Sequence, residues 1–415
     1  MKIAIVGTGI SGMLCAWLLR NQHELTVFEQ DSRIGGHTHT VEVEAEGQTW
    51  PIDTGFIVFN DWTYPNFIAL LERLGVPSQP SSMSFSVQDE RNGLEYNGSS
   101  LDSLFAQRRN LFRPSFHRLI RDILRFNRES RELLEGTDET LSLGDYVARK
   151  GYSRLFLEDY IVPMGAAIWS APPAQMLAFP ARFFVRFFAN HGMLAVDDRP
   201  TWRVIRGGSH TYMRALAAPL AGRVRTATPV RRITRRHDRV DIESSIGVER
   251  FDQVIVAAHS DQALALLSDP STAERSILGA IPYQENEAVL HTDARLLPRS
   301  RRAWAAWNYH VPREARGRVA LTYSMNILQG LATPTQFCVT LNKTDAIDPA
   351  RILRTIRYHH PVYTSAGIAA QQRWGEINGT NRTWYCGAYW GFGFHEDGVK
   401  SALAVTTRFG VGIAA

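Results

Sequence analysis

The N-terminal residues 3–29 read IAIVGTGISGMLCAWLLRNQHELTVFE, and this stretch decides the fold. A short apolar run of the kind found in buried strands leads into the pattern Gly7-x-Gly9-x-x-Gly12, and a helix and a second strand follow. Gly7 permits a tight turn, Gly9 lets the backbone approach a pyrophosphate, and Gly12 lets helix and strand pack closely. Glu29 ends the second strand, where its carboxylate can accept hydrogen bonds from an adenosine ribose. The order of these elements predicts a dinucleotide-binding βαβ unit.

The composition describes an ordinary globular protein with a large core. The 415 residues suffice for two domains, and 44% of them are hydrophobic while 21% are charged. Cys15, Cys338 and Cys386 form neither an even disulfide set nor a CxxC pair. The 13 histidines show no metal-ligand spacing, so we expect no metal site.

The start of the chain and its charge bear on location and partners. No charged leader with an apolar run precedes the first strand, and no stretch has the apolar length of a spanning helix, so we expect a cytoplasmic protein. The net charge is +5, and arginines are dense from residue 108 to 131. Because no nucleic-acid-binding signature accompanies them, we expect no nucleic acid partner. A basic helix near 113–131 is compatible with transient contact at the inner membrane face or with a solvated surface.

The segment that follows Glu29 identifies the nucleotide. Arg33-x-Gly35-Gly36 resembles the R-x-G-G motif of the flavin amine oxidase superfamily, where it lies along the FAD pyrophosphate and the ribityl–flavin junction. Residues 383–408 resemble the final FAD fingerprint of that superfamily: a strand over 383–388, a glycine loop and a helix over 399–408 whose N-terminus meets the flavin. The resemblance implies FAD bound non-covalently.

These patterns and the resemblance together predict a set of cofactor-binding residues, spread over separate segments of the chain. They are Gly7, Gly9, Ile10, Ser11, Gly12, Glu29, Gln30, Arg33, Gly35, Gly36, His37, Thr54, Gly55, Phe56, Val230, Ala257, Gly387, Glu396, Asp397 and Gly398. Val230 ends a predicted strand over 224–230, and Ala257 lies in a strand and turn over 251–259 that closes the nucleotide domain.

The predicted fold class is α/β, with a Rossmann-like FAD-binding domain of the glutathione-reductase and amine-oxidase type. Residues 1–75, 203–268 and 375–415 are expected to form this domain. Residues 76–202 and 269–374 are expected to form a substrate domain inserted twice. The first insert has helical spacing of apolar residues between Phe116 and Leu124, and the second alternates apolar and polar residues, which is typical of antiparallel sheet.

Long motifs between residues 53 and 398 resemble one subfamily more closely. They are residues 53–60, 63–66, 82–87, 162–170, 208–212, 305–308 and 386–398. The chain is similar along nearly its whole length to the FAD-binding domain of plant cyclopropane fatty acid synthases and to its stand-alone bacterial relatives. Since the methyltransferase domain of the plant enzymes is absent, the resemblance implies an oxidase, reductase or desaturase partner of lipid modification.

Four residues are candidates for catalysis. His395 directly precedes the acidic start of the last helix and could move a proton while the flavin takes a hydride, although a structural role in the loop is an alternative. Trp169 and Tyr389 belong to motifs expected near the flavin, where core packing is the alternative. Tyr309 lies on the presumed sheet of the substrate cavity, where it could orient a substrate.

Three functions are compatible with these patterns. The first is an FAD-dependent oxidoreductase that desaturates or reduces fatty acyl chains, for example methyl-branched ones in phospholipids. The second is an amine oxidase or a carotenoid-type desaturase. An amine substrate would call for an aromatic cage and a lysine near flavin N5, and neither Lys343 nor Lys400 stands out for the lysine's role. The third is a non-catalytic FAD-binding partner of a lipid methyltransferase. An acyl lipid or another apolar small molecule is the expected substrate.

Overall fold

The computed structural model describes residues 1–138, 140–169, 171–314 and 318–413. Ser170, the last residue of the 162–170 motif, and residues 414–415 of the predicted cofactor domain lie outside the described residues. In chain order the strands are β1 Lys2–Val6, β2 Glu24–Phe28, β3 Thr40–Ala45, β4 Gln48–Asp53, β5 Phe59–Asn60, β6 Ser78–Pro80, β7 Phe85–Asp89, β8 Leu94–Asn97, β9 Trp202–Ile205, β10 Val224–Arg225, β11 Val230–Arg235, β12 Val240–Ser244, β13 Gly247–Phe251, β14 Gln253–Val256, β15 Tyr283–His291, β16 Trp307–Val311, β17 Ala320–Ser324, β18 Cys338–Leu341, β19 Ile352–Pro361 and β20 Thr383–Tyr385.

The helices alternate with these strands in the N-terminal part and cluster between β8 and β9. They are α1 Ile10–Leu19, α2 Pro65–Leu74, α3 Leu101–Leu104, α4 Pro114–Glu129, α5 Glu132–Glu135, α6 Leu143–Arg149, α7 Arg154–Phe156, α8 Val162–Trp169, α9 Pro173–Leu177, α10 Ala181–Asn190, α11 His210–Ala217, α12 Ser260–Leu266, α13 Thr272–Leu278, α14 Met325–Gln329, α15 Ser365–Gln371, α16 Trp374–Ile377 and α17 His395–Arg408. Within the described residues, no helix combines the length and the apolar content that crossing a bilayer requires.

A parallel sheet forms the centre of the nucleotide-binding half. Its described strands lie in the order β10, β2, β1, β14 and β20, and every pairing is parallel. The side chains of β1 and β14 are almost all buried because elements cover both faces of the sheet, which explains their continuous apolar sequence. The carboxyl ends of these strands meet at one edge, where the glycine turn after β1 also lies. This is the predicted α/β fold class.

A larger sheet forms the second half. Its described strands lie in the order β19, β15, β18, β17, β16, β7 and β8, and only the β16–β7 pairing is parallel. All of them come from the two predicted inserts, whereas the strands of the parallel sheet come from the predicted cofactor pieces. This distribution supports the two-domain division, which stays a prediction. The sequence patterns indicated sheet in the second insert, but β7 and β8 come from the first.

The helical layer packs on the larger sheet through an apolar cluster. In α4, Phe116, Leu119 and Phe126 are buried, as the helical spacing predicts. Leu124, the last residue of that spacing, is 52% exposed, and Asp122 takes an inward position. Asp122 can be buried because its carboxylate accepts a hydrogen bond from the Ser153 backbone N–H at 2.9 Å.

Some predicted element boundaries differ from the structure. The predicted strand over 224–230 is divided, because Ala227 adopts a left-handed φ of 49° and the chain then enters a separate antiparallel sheet at Val230. The predicted helix over 399–408 begins four residues earlier, at His395. The strand predicted over 383–388 ends at Tyr385, and a short 3-10 helix over Ala388–Trp390 follows.

Candidate cofactor and active site

The glycine turn between β1 and α1 is shaped by close backbone packing. Gly7 has a φ of 102°, and a Cβ there would lie 2.7 Å from the Ala257 carbonyl oxygen. A Cβ on Gly12 would lie 2.1 Å from the Gly7 carbonyl oxygen, so no residue with a side chain fits at position 12. A Cβ on Gly9 would meet no atom within 4 Å. Gly7 and Gly12 are therefore required by the fold, whereas Gly9 leaves room for a ligand to approach the backbone.

Glu29 lies beside this turn at the carboxyl end of β2. Its side chain is buried, and its Oε2 accepts hydrogen bonds from the backbone N–H and the hydroxyl of Thr8. Its Oε1 accepts one from the Asp31 N–H at 2.9 Å. These bonds fix the carboxylate at the edge of the sheet, where its remaining acceptor capacity suits a ribose hydroxyl. Gln30, the next residue, is exposed.

The Arg33-x-Gly35-Gly36 loop packs directly onto the glycine turn. A Cβ on Gly36 would lie 3.4 Å from the Gly9 Cα, and the Gly35 N–H donates to the Thr8 carbonyl at 3.1 Å. The Arg33 guanidinium donates to the Gly36 carbonyl at 2.8 Å and so holds the loop closed. Two motifs predicted separately from the sequence thus meet at one place.

The last helix brings a third predicted segment to the same place. A Cβ on Gly398 would lie 2.8 Å from the Ile10 side chain, and the Ser11 hydroxyl donates to the Gly398 carbonyl at 2.9 Å. The N-termini of α1 and α17 therefore lie side by side. Gly9 caps α1 with no side-chain hydrogen bond, so the first amides of that helix and its positive dipole end suit an anionic ligand. The Gly387 N–H is held by the Ser401 hydroxyl at 2.9 Å.

The two acidic residues at the start of α17 accept hydrogen bonds from backbone N–H groups of the protein. Glu396 accepts bonds from the backbone N–H groups of Asn66 and Phe67, at 3.2 and 2.9 Å, and so caps α2. Asp397 accepts bonds from the N–H groups of Phe392 and Phe394, both at 3.0 Å. Burial raises the pKa of Asp397 to about 6. Both carboxylates hold the loop and helix in place, and their contact with a cofactor stays a prediction.

His395 lies between aromatic and hydroxyl groups. Its ring stacks on Phe56 with centroids 3.5 Å apart, and its Nε2 lies 2.7 Å from the Tyr212 hydroxyl and 3.1 Å from the Thr38 hydroxyl. Burial lowers the pKa of His395 to about 3, so the ring is uncharged at neutral pH. The structure therefore joins His395 to the predicted cofactor residue Phe56.

Asp53 is a buried acid that the sequence analysis did not select. It accepts hydrogen bonds from the backbone N–H and hydroxyl of Ser209, at 2.9 and 2.7 Å, and from the Thr40 hydroxyl at 2.6 Å. Burial raises its pKa to about 6, and these hydrogen bonds oppose that rise. Asp53 thus holds together the loops before Thr54 and before α11. Its position directly before Thr54-Gly55 was the available signal.

A cluster of histidines and tyrosines surrounds His37. The His37 ring stacks on Tyr358 with centroids 4.9 Å apart, and the rings of His360 and His259 follow at 5.4 and 5.8 Å. Tyr283 stacks on His259 at 4.5 Å. Burial, followed by the neighbouring His360 and His259, lowers the pKa of His37 well below its usual range. Only His37 was predicted as a site residue. His259 ends the predicted 251–259 segment, from which Ala257 alone was selected, and the other rings come from strands β15 and β19, which carry no motif.

Four phenylalanines from α10 and from the loop that precedes α17 form a surface that we call the aromatic wall. Phe183 and Phe187 of α10 face Phe392 and Phe394 of the C-terminal loop, with centroids 4.5 Å apart for Phe183–Phe392 and 5.1 Å for Phe187–Phe394. Trp169 packs against Phe187 at 4.9 Å. The catalytic candidate Trp169 is thus separated from the loop that carries His395 by the Phe187 ring.

The other two catalytic candidates differ in their surroundings. Tyr389 is buried in the C-terminal loop and lies against Trp390, with centroids 5.0 Å apart. Tyr309 is buried on β16, where it lies 6.4 Å from Phe85 between ring centroids, in the same apolar cluster as Trp169. Burial raises the pKa of both phenols, so both are uncharged. The roles of these residues stay predictions.

The residues present fit the predicted dinucleotide. Besides the glycine turn and the two helix N-termini, several buried polar atoms have no hydrogen-bond partner among the described residues. Those in the loops described above are His37 Nε2, Tyr389 Oη and Trp390 Nε1, and Tyr363 Oη is another, which a Cβ on Gly393 would meet at 2.5 Å. Because an unpaired buried polar atom costs free energy, these atoms favour a polar ligand in contact with them. The arrangement provides both a phosphate-binding end and an aromatic end.

Comparison with known proteins connects this arrangement to one family. Residues 10–308 match the family described as flavin containing amine oxidoreductases. A Mycobacterium tuberculosis protein named as flavin-containing monoamine oxidase AofH is 28% identical over 287 residues, which are 65% of this chain and 59% of that protein. The L-amino-acid oxidase of Mus musculus is 26% identical over 307 residues, covering 68% and 46%. The chain thus spans about half the length of these curated relatives.

Solved structures share the fold along the whole chain. Cyclohexylamine oxidase from Brevibacterium oxydans superimposes with a TM-score of 0.70 at 16% identity and 99% coverage of both chains. A fatty acid isomerase from P. acnes that produces CLA gives a TM-score of 0.70 at 16% identity and 98% coverage of both. At these identities the likeness shows the fold alone.

Proposed function

Since the chain belongs to the family of flavin-containing amine oxidoreductases, we propose that this FAD-binding oxidoreductase acts on fatty acyl chains, by desaturating them or by reducing them. The bound flavin supplies hydride and electron transfer at its N5 position. The chain's own residues must therefore bind the cofactor, hold an apolar substrate beside it and exclude water. The observation that carries the proposal is the aromatic wall of Phe183, Phe187, Phe392 and Phe394.

Cofactor binding is assigned to the residues around the glycine turn. The amides at the start of α1 would bind the pyrophosphate, and Glu29 would bind the adenosine ribose. The start of α17 would face the flavin, where a positive dipole end stabilises negative charge. His37, Tyr389 and Trp390 offer the unpaired polar atoms described above.

The aromatic wall suits an alkyl chain because it offers apolar contact without charge. Phe183 and Phe187 are buried by neighbouring rings, and the loop residues Phe392 and Phe394 lie opposite them. Burying each CH₂ group of a substrate against such a surface contributes about 0.8 kcal/mol. An acyl chain needs no polar partner there. Aromatic rings also attract ammonium groups through cation–π contacts, so the choice between an acyl chain and an amine rests on the lysines considered below.

His395 is the group best placed to hold a proton near this wall. Its uncharged ring lies 2.7 Å from the Tyr212 hydroxyl, so Nε2 and Oη form a hydrogen-bonded pair. Its neighbours in sequence, Phe394 and Glu396, tie it to the aromatic wall and to the cap of α2. A proton released from or delivered to a substrate could pass along this pair.

An amine substrate is the second candidate, and the curated relatives favour it. AofH is named as a monoamine oxidase, and the mouse protein is an L-amino-acid oxidase. The lysines of this chain weigh against it. Lys343 forms an ion pair with Glu90 at 2.7 Å, and Lys400 is exposed on α17. Lys2 lies over the Phe251 ring, and Lys150 forms an ion pair with Glu132. The sequence has only these four lysines, and none of them lies at the aromatic wall.

An anaerobic titration of the purified holoprotein tests the proposal. Phospholipids with methyl-branched, unsaturated or cyclopropane acyl chains are added while the visible absorption of the flavin is followed. Bleaching by one lipid class, or reoxidation of dithionite-reduced flavin by it, is the expected result. Cyclohexylamine and L-amino acids serve as the comparison substrates. Rapid bleaching by an amine alone would establish the second candidate, and silence towards all of them would favour a non-catalytic partner of a lipid methyltransferase.

A variant in the wall sharpens the test. Phe183→Leu keeps an apolar side chain but removes the ring that faces Phe392. We expect a higher KM for the acyl substrate, with the flavin content unchanged. The matched control is Phe251→Leu, because Phe251 packs in a separate apolar cluster, against Phe28 and Lys2. Equal KM values for the two variants would remove the wall from substrate binding.

A further inference from the structure

Three large apolar side chains are exposed close together on the first insert. The exposed fractions are 77% for Leu101, 44% for Leu111 and 88% for Phe112. Leu101 begins α3, and the other two end a 3-10 helix over Arg108–Phe112. Most large apolar side chains of the chain are buried, and clustered exposed ones are typical of an interaction surface.

Hydrogen bonds hold these short elements together. The Arg108 guanidinium donates to the Phe105 carbonyl at 3.0 Å and forms an ion pair with Asp102. The His117 Nε2 lies 2.8 Å from the Leu111 carbonyl, and its ring lies 5.9 Å from Phe105 between centroids. The exposed residues therefore belong to one folded surface. We call it the 101–124 surface, since α4 extends it to the exposed Leu124.

The same surface carries excess positive charge. Residues 101–124 contain two acidic residues, and one of these, Asp122, is buried. The arginines of the segment are Arg108, Arg109, Arg113, Arg118 and Arg121. The 3-10 helix Arg301–Ala303 packs against α3 and adds two exposed arginines. Exposed apolar side chains surrounded by arginines suit an anionic bilayer, because the apolar groups enter the headgroup region while the guanidinium groups contact lipid phosphates.

The surface is anchored in the same cluster as the aromatic wall. Phe116 and Leu119 of α4 are fully buried in the apolar cluster that also contains Phe183 and Phe187. α4 thus presents its arginines outward and fixes the surface rigidly to the helical layer. A membrane docked there would lie on the half of the molecule that carries the wall.

We propose that the 101–124 surface docks on an anionic phospholipid bilayer through Leu101, Leu111 and Phe112, with the surrounding arginines contacting the lipid phosphates. The proposal does not depend on the redox chemistry. It predicts reversible binding at the surface of the bilayer, strengthened by anionic lipid and weakened by salt.

Vesicle sedimentation of the purified holoprotein tests the proposal. The probes are vesicles of phosphatidylcholine alone and of phosphatidylcholine mixed with phosphatidylglycerol. We expect binding to the mixed vesicles that falls at high salt. The double variant Leu111→Ser with Phe112→Ser should bind at least about tenfold more weakly than the wild type, because two large apolar groups no longer enter the bilayer. Arg121→Ala should weaken binding about fivefold.

The matched control is Ile246→Ser with Val248→Ser. These residues are 63% and 64% exposed, and they lie at the β12–β13 hairpin beside Glu243 and Glu249. The control should bind vesicles like the wild type. Flavin content and Tm establish that each variant is folded, and Arg121→Ala gives a second reading if the serine variant is unstable. Equal binding by the 111/112 variant and the control, or equal binding to both kinds of vesicle, would overturn the proposal. Salt-dependent binding to the mixed vesicles that the serine substitutions leave unchanged would show that the arginines bind headgroups without insertion of Leu111 and Phe112, and would likewise overturn the proposal.

Discussion

At the residue scale, the three glycines of the first turn have separable roles. A side chain on Gly12 collides with the Gly7 carbonyl, while a side chain on Gly9 meets no atom of the chain. Gly9 has an extended backbone with φ of −61° and ψ of 175°, which alanine also adopts. The fold therefore needs Gly12, whereas we expect that Gly9 is needed for the approach of the cofactor.

Gly9→Ala and Gly12→Ala should separate these roles. We expect the Gly9→Ala apoprotein to keep the wild-type Tm but to bind FAD more weakly, because a methyl group stands where the pyrophosphate approaches. The Gly12→Ala variant should lose both Tm and FAD affinity. Differential scanning fluorimetry of apoprotein and FAD titration measure the two effects. Wild-type FAD affinity in the Gly9→Ala variant would contradict the assignment of the pyrophosphate site.

His395 should also leave a mark on the pH dependence of stability. Its folded-state pKa of about 3 lies below the unfolded value of about 6.5, so the unfolded chain binds more protons between these two pH values. The neutral histidine therefore stabilises the fold fully above pH 6.5, and this contribution is lost as pH falls towards 3.

His395→Gln tests this window, since glutamine keeps a polar side chain but does not titrate. We expect the Tm difference between wild type and variant to shrink as pH falls from about 7 to about 5. Measurements at both pH values on the same holoprotein preparation are sufficient. A Tm difference that is constant across the window would show that His395 is not held neutral by burial.

At the element scale, the start of α17 is tied to the start of α2. The Glu396 carboxylate accepts hydrogen bonds from the N–H groups of Asn66 and Phe67, which α2 itself leaves unpaired. The α2 sequence offers no capping side chain of its own at Tyr64. An acid over three hundred residues away in sequence therefore completes a helix of the nucleotide-binding half.

Glu396→Ala should lower the free energy of unfolding by about 1–3 kcal/mol, because the buried Phe67 N–H and the partly buried Asn66 N–H lose their acceptor. Glu396→Gln should lower it less, because the amide oxygen still accepts. Chemical denaturation of the apoproteins measures both values without the contribution of FAD. Equal stabilities of the alanine variant and the wild type would show that water replaces the cap.

At the scale of the whole molecule, the site joins segments from both ends of the chain. The 33–36 loop packs on Gly9 through Gly36, and α17 packs on the start of α1 through Gly398. A ligand that contacts all three segments binds only the folded chain. FAD should therefore stabilise the protein by about 2.7 kcal/mol at a free concentration of one hundred times its Kd.

Tm of the apoprotein over a series of FAD concentrations measures this linkage. The Tm should rise with the logarithm of the free FAD concentration once Kd is exceeded. Riboflavin, which lacks the pyrophosphate and adenosine, is the matched ligand control and should raise Tm much less. Equal shifts with riboflavin would place the binding energy outside the glycine turn.

Much of the nucleotide-binding half was predictable from the sequence, since its signals are local. Strand, glycine turn, helix, strand and Glu29 follow one another within residues 3–29, and each is constrained by its neighbours in sequence. The fold class and the FAD cofactor follow from that stretch together with the 33–36 and 383–408 resemblances. Helical spacing predicted α4 as well, but periodicity does not register that Ser153 supplies a partner for a buried Asp122.

The tertiary structure alone decided which distant side chains meet. His37 stacks on Tyr358, Asp53 binds Ser209, and Glu396 caps Phe67, and no local pattern marks these partners. It also added β7 and β8 to the larger sheet and left Leu101, Leu111 and Phe112 outside the core. The physical reason is that periodicity and turn chemistry act over a few residues, whereas burial and pairing between distant segments depend on how the whole chain packs.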